Sequence, residues 1–98
     1  MQGPPPHYVP DHLTATAGDL VFFLNNVSHG THTLAIGPPS ALQGPVLNIR
    51  SFLTVSDSVV PGRSAAFSVH GLHAGSYAIW CTIDGHAEEG MVGTLTVK

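Results

Sequence analysis

The chain has 98 residues, with three Lys plus Arg against six Asp plus Glu, and a single cysteine. A net charge of −3 with only 9% charged residues leaves no basic surface to grip a phosphate backbone, which argues against nucleic-acid binding. One cysteine excludes an internal disulfide, and no apolar run approaches the ~20 residues that span a bilayer.

Leu, Ile, Val and Phe make up 27 of the 98 residues. That fraction lies above the ~20% below which chains stay disordered, so a core is expected. The whole chain reads as one domain, residues 1–98, with the proline-rich residues 1–10 as a stiff extended tail. Leu13, Ala15 and Ala17 alternate with Thr14 and Thr16, the pattern of a half-buried strand. The turn Gly18-Asp19 leads into Leu20–Leu24, a strand either buried on both faces or twisted between a core and a neighbour. Asn25-Asn26 closes it, and Val27–Gly30 reads as a loop. Thr31–Ile36 is the next strand, stopped by Gly37-Pro38-Pro39. Residues 37–62 are poorly patterned and hold one expected strand, Asn48–Val55. After Pro61-Gly62, Ser64–Val69 alternates again, with a turn near His70–His73. Ser76–Cys81 is the clearest strand, with Tyr77, Ile79 and Cys81 on one face. A loop from Asp84 to Gly90 then leads to a last strand, Val92–Val97. About seven strands at this spacing predict an all-β sandwich or barrel.

The chemistry is concentrated between Cys81 and Met91. The only cysteine, a histidine and the only internal methionine follow one another as Cys81-x4-His86-x4-Met91. A thiolate, an imidazole and a thioether on one short loop are soft and borderline donors, and Gly85 and Gly90 let the loop turn tightly enough to bring them together. A second imidazole is available upstream in Asn25-Asn26-Val27-Ser28-His29-Gly30-Thr31-His32. Two His, one Cys and a long axial Met form the ligand set of blue-copper electron-transfer sites.

On these residues the chain resembles the cupredoxins, the small blue-copper family. The resemblance spans nearly the whole chain: the Gly18-Asp19 turn, the Asn-Asn segment before a histidine, the Gly75-x-Tyr77-x-x-x-Cys81 strand and the ligand loop. The loop spacing is most like that of rusticyanin and sulfocyanin. The resemblance implies a Greek-key β-sandwich holding one type 1 copper, with His32, Cys81, His86 and Met91 as ligands. His32 is preferred to His29 because the apolar run Thr33–Ile36 follows it, as one follows the family's ligand. Thr33 would lie against the thiolate, hydrogen-bonded to Thr82, and the edge of His86 would be the electron port. Two departures stand out: Asp84 occupies a position where relatives often have Pro, and Thr33 one where Asn or Ser is more usual.

The implied function is one-electron transfer between a redox donor and acceptor, by a monomer located in the periplasm or outside the cell. An export signal is either absent or already removed. Alternatives are a copper transport or storage domain, an electron-transfer domain excised from a larger membrane-anchored redox protein, and a metal-free binding sandwich. An enzyme is not expected: the neighbours of Cys81 are Trp80 and Thr82, so no adjacent His leads on to a second copper, and coordination would occupy the only thiol. His7, His12, His70 and His73 read as surface histidines, Glu88 and Glu89 as a solvated loop face, and Trp80 and Phe67 as core.

Overall fold

The computed structural model describes residues 1–98. Seven strands form in chain order: β1 (His12–Ala15), β2 (Gly18–Asn25), β3 (Ala35–Gly37), β4 (Thr54–Val55), β5 (Ser64–Leu72), β6 (Gly75–Trp80) and β7 (Val92–Val97). They make a five-stranded sheet in the order β1-β7-β6-β3-β4 and a two-stranded sheet, β2-β5. β1 runs parallel to β7, and the other pairings are antiparallel. This is a Greek-key β-sandwich, the all-β class read from the sequence.

Alternation along the strands makes the core. Leu20, Phe22 and Leu24 of β2 turn inward, while Val21 and Phe23 are exposed. The strand is therefore one-sided, not buried on both faces. Leu24, Val69 and Leu72 meet Ile36, Ile79, Leu95 and Val97 from the larger sheet in one apolar cluster. The alternation in β6 divides as expected, with Tyr77, Ile79 and Cys81 on this core face. Its opposite face, Ala78 and Trp80, belongs to a second cluster together with Ala35, Ala41 and Ala87.

That second cluster explains the poorly patterned region. A short 3-10 turn, Pro39–Leu42, and the segment after it lay Leu47, Ile49 and Phe52 over Trp80. The Trp80 indole N–H donates to the Ile49 carbonyl at 3.0 Å. The strand expected over Asn48–Val55 shrinks to Thr54–Val55 because most of this segment covers the sheet instead of extending it. The space under the cover is fully used: a Cβ added at Gly37 would stand 2.5 Å from the Trp80 ring.

Three further expectations are corrected. Residues 1–10 do not extend as a tail: Gln2 and His7 exchange backbone hydrogen bonds, and Met1 and Tyr8 are buried in the main core. Burying those two side chains removes apolar surface from water, which outweighs the stiffness of the prolines. The strand over Thr31–Ile36 is confined to Ala35–Gly37, with His32 paired to Val59 in an isolated bridge. β5 continues through His70 and Gly71 instead of turning there, so both residues lie within the strand.

Candidate metal centre

Strand pairing gives the loop its shape. Trp80 lies opposite Val92 in the β6-β7 ladder, and the Cys81 N–H reaches the Met91 carbonyl at 3.2 Å. Cys81 and Met91 therefore face each other across neighbouring strands, and residues 82–90 must close in a compact turn. Gly85 and Gly90 have φ of 84° and 113°, conformations that side chains disfavour. The turn brings the His86 carbonyl to within 3.0 Å of the Met91 N–H.

Three donor side chains converge at this end of the sandwich. The ligand atoms of His32, Cys81 and His86 all lie within 4.8 Å of one another. Nδ1 of His32 is 3.1 Å from Nδ1 of His86, which is 3.4 Å from the Cys81 sulfur. Cys81 and Met91 are fully buried, His32 is 2% exposed and His86 is half-buried. Met91 shares the main core cluster with Cys81. His29 is exposed on the preceding loop and outside the trio, whereas His32 is inside it. His12 and His70 are exposed beside Asp11 and Asp19, and His7 bonds the Pro5 carbonyl; none of the three belongs to the donor trio.

The residues around the donors are polar and paired. Thr33 sets its backbone N–H 3.5 Å and its hydroxyl 3.8 Å from the Cys81 sulfur. The Thr33 and Thr82 hydroxyls are 2.8 Å apart, and the Thr82 N–H donates to the Thr33 hydroxyl at 2.9 Å. The pairing read from the sequence is thus present. Three residues near the centre escaped the sequence reading. Tyr8 donates its hydroxyl to the Thr33 carbonyl at 2.6 Å, and burial, and then the influence of Cys81, pushes its phenol well above the ordinary range. Ser28 bonds His32, and the buried Asn26 bonds Ser28. The Asn-Asn segment marks the approach to a histidine in sequence, but not the side-chain bond between Asn26 and Ser28.

Burial, and then the neighbouring His86, lowers the pKa of His32 in the metal-free protein. The unfolded chain takes up this proton near the ordinary value of ~6.5, and the folded chain only at lower pH. The contribution of His32 to stability is therefore complete above ~6.5 and is lost as pH falls from there through the folded-state value. Thermal unfolding of the metal-free protein across this window is expected to show a falling midpoint, with a shallower fall in His32→Gln. Equal slopes in the two proteins would contradict it.

Fold and donor set together define a cupredoxin. The model of the sulfocyanin (SoxE) domain matches residues 43–98, and the chain belongs to that family. Among solved structures it is similar to auracyanin B, with 21% identity, a TM-score of 0.72, and coverage of 90% of this chain and 77% of that one. Auracyanin A, a blue copper protein from Chloroflexus aurantiacus, is 19% identical at a TM-score of 0.68, covering 90% and 85%. Reduced rusticyanin is 27% identical at a TM-score of 0.58, covering 89% of this chain and 62% of that one. No curated protein matches the sequence.

The donors suit the family's metal. A thiolate and two imidazoles are the planar donors of a blue-copper site. Bonds of about 2.0–2.3 Å, the lengths such donors make to zinc, would set them ~3.5–4 Å apart around one ion, within the observed cluster. Family and site together assign the chain a single copper.

Proposed function

We propose that the chain is an electron carrier whose one copper would be held by His32 Nδ1, Cys81 Sγ and His86 Nδ1, together with the Met91 thioether. The observation that carries this reading is the convergence of His32, Cys81 and His86 within 4.8 Å at the loop end of the sandwich. When bound there, copper would supply the Cu(I)/Cu(II) couple. The residues do the rest. Cys81 and Met91 sit at the adjoining ends of paired strands, joined by a backbone hydrogen bond, and His32 is bridged to Val59, so three of the four donors are anchored to the sandwich. Rigid anchoring keeps the ligand positions alike in both valence states, which lowers the reorganisation that each transfer requires. Burial of Cys81 and His32 excludes water, and the half-buried His86 brings the site to the surface as the electron port.

The loop that carries that port is acidic. Asp84, Glu88 and Glu89 are exposed on the His86 loop, which favours donors and acceptors with a basic docking face. The reading carries with it a periplasmic or extracellular place and a monomer built as a single domain. Titration of the metal-free protein with Cu(II), followed by visible absorption, tests the site. An intense thiolate-to-copper band saturating at one equivalent, with a reversible voltammetric wave, is expected. A colourless complex would overturn the site. A blue protein without a reversible couple would overturn electron transfer and leave copper carriage.

A further inference from the structure

We infer that Ser28, itself held by Asn26, is a positioning residue that fixes the neutral His32 ring as its Nε2–H tautomer and so leaves Nδ1 bare toward His86 and Cys81. The inference follows from counting hydrogens. The Asn26 side chain is fully buried, and its Nδ2 lies 2.7 Å from the Gly30 carbonyl and 2.8 Å from the Val59 carbonyl. Carbonyl oxygens only accept, so the amide nitrogen must face them, and this chemistry fixes which way the amide points. Its oxygen therefore faces Ser28, whose backbone N–H donates to it at 3.0 Å.

The Ser28 hydroxyl has one hydrogen to give. It lies 2.6 Å from Asn26 Oδ1, an oxygen that can only accept, so the hydrogen is used there. The other oxygen in reach, the Gly30 carbonyl at 3.1 Å, is also only an acceptor, and the Gly30 N–H points back at the hydroxyl from 3.3 Å. Ser28 Oγ thus has only lone pairs left for His32 Nε2, which stands 2.7 Å away. The hydrogen between them must belong to the ring. A neutral imidazole protonated at Nε2 has a lone pair at Nδ1, the atom that faces His86 Nδ1 at 3.1 Å.

The same asparagine also places the backbone of His32. Val59, whose carbonyl accepts from Asn26, exchanges both backbone hydrogen bonds with His32, at 2.8 and 3.1 Å. Ring orientation and backbone position are therefore referenced to one residue. Without the Ser28 hydroxyl the buried Nε2–H has no acceptor, and the alternative tautomer, with its hydrogen on Nδ1, becomes competitive.

The consequence for copper rests on the proposed ligand role of His32, whereas the tautomer belongs to the metal-free protein. The experiment separates them. A long-range proton–nitrogen correlation spectrum of the metal-free full chain, labelled at histidine, reads the tautomer directly at neutral pH. His32 is expected to show a protonated Nε2 and a bare Nδ1. Ser28→Ala should shift it toward the other tautomer and weaken Cu(I) binding about 10–100-fold, read by competition with a chromogenic chelator. Ser28→Thr, which keeps the hydroxyl, should restore both. A wild-type spectrum with the hydrogen on Nδ1 overturns the inference without any variant. So does a folded Ser28→Ala protein with unchanged tautomer and affinity. The stated tautomer in a wild-type chain that binds no Cu(I) would support the positioning role and overturn the copper reading.

Discussion

Cys81→Ser is expected to abolish the blue band and to weaken copper binding by more than the ~10–100-fold cost of losing an outer hydrogen-bond partner. The colour of such a centre is charge transfer from a thiolate to Cu(II), and a serine hydroxyl stays protonated where a metal-bound thiol does not. The Thr33 N–H and hydroxyl point at the sulfur from 3.5 and 3.8 Å and fix its position. The substitution is small in packing terms, because an oxygen at this position can still accept from Thr33 N–H. Thermal unfolding of the metal-free variant should stay close to wild type, which separates loss of a ligand from loss of the fold. Retained colour in a folded variant would remove Cys81 from the ligand set.

The ligand loop was readable because three donors lie on one continuous segment between neighbouring strands. Strand, glycine and ligand signals then fall in order along 81–91, and the β6-β7 ladder closes the segment as the spacing requires. His32 was harder, since it is brought to the loop by tertiary structure. The apolar residues after it gave the only local distinction from His29. What the sequence hid is longer in range still. Tyr8 meets Thr33 across 25 positions and belongs to a segment whose prolines indicate an extended chain. Leu47, Ile49 and Phe52 look like part of a strand because apolar alternation does not reveal whether a segment pairs with a sheet or lies over it. Ser28 has no signature in a loop of small polar residues, and its role appears only with the hydrogen inventory around Asn26.

Met91→Leu is expected to keep the copper and the blue colour and to raise the reduction potential. Leucine and methionine are close in volume, and such swaps cost less than ~1.5 kcal/mol in well-packed cores. That matters here, because Met91 is fully buried in the cluster that contains Cys81, Ile79 and Leu95. The exchange removes the thioether lone pair while leaving the packing nearly intact. An axial donor stabilises the more electron-poor Cu(II) more than Cu(I), so its loss favours the reduced state and moves the potential upward. Asp84 acts in the opposite direction: it is exposed on the loop two residues before His86, and an added negative charge favours the oxidised ion. The wild-type potential should accordingly lie below that of a Pro or Asn variant at 84. Protein-film voltammetry and the visible spectrum check the Met91 variant together. An unchanged potential in a blue, folded variant would mean that Met91 only fills the core. Loss of colour would mean that the other three donors cannot hold copper in this geometry without it.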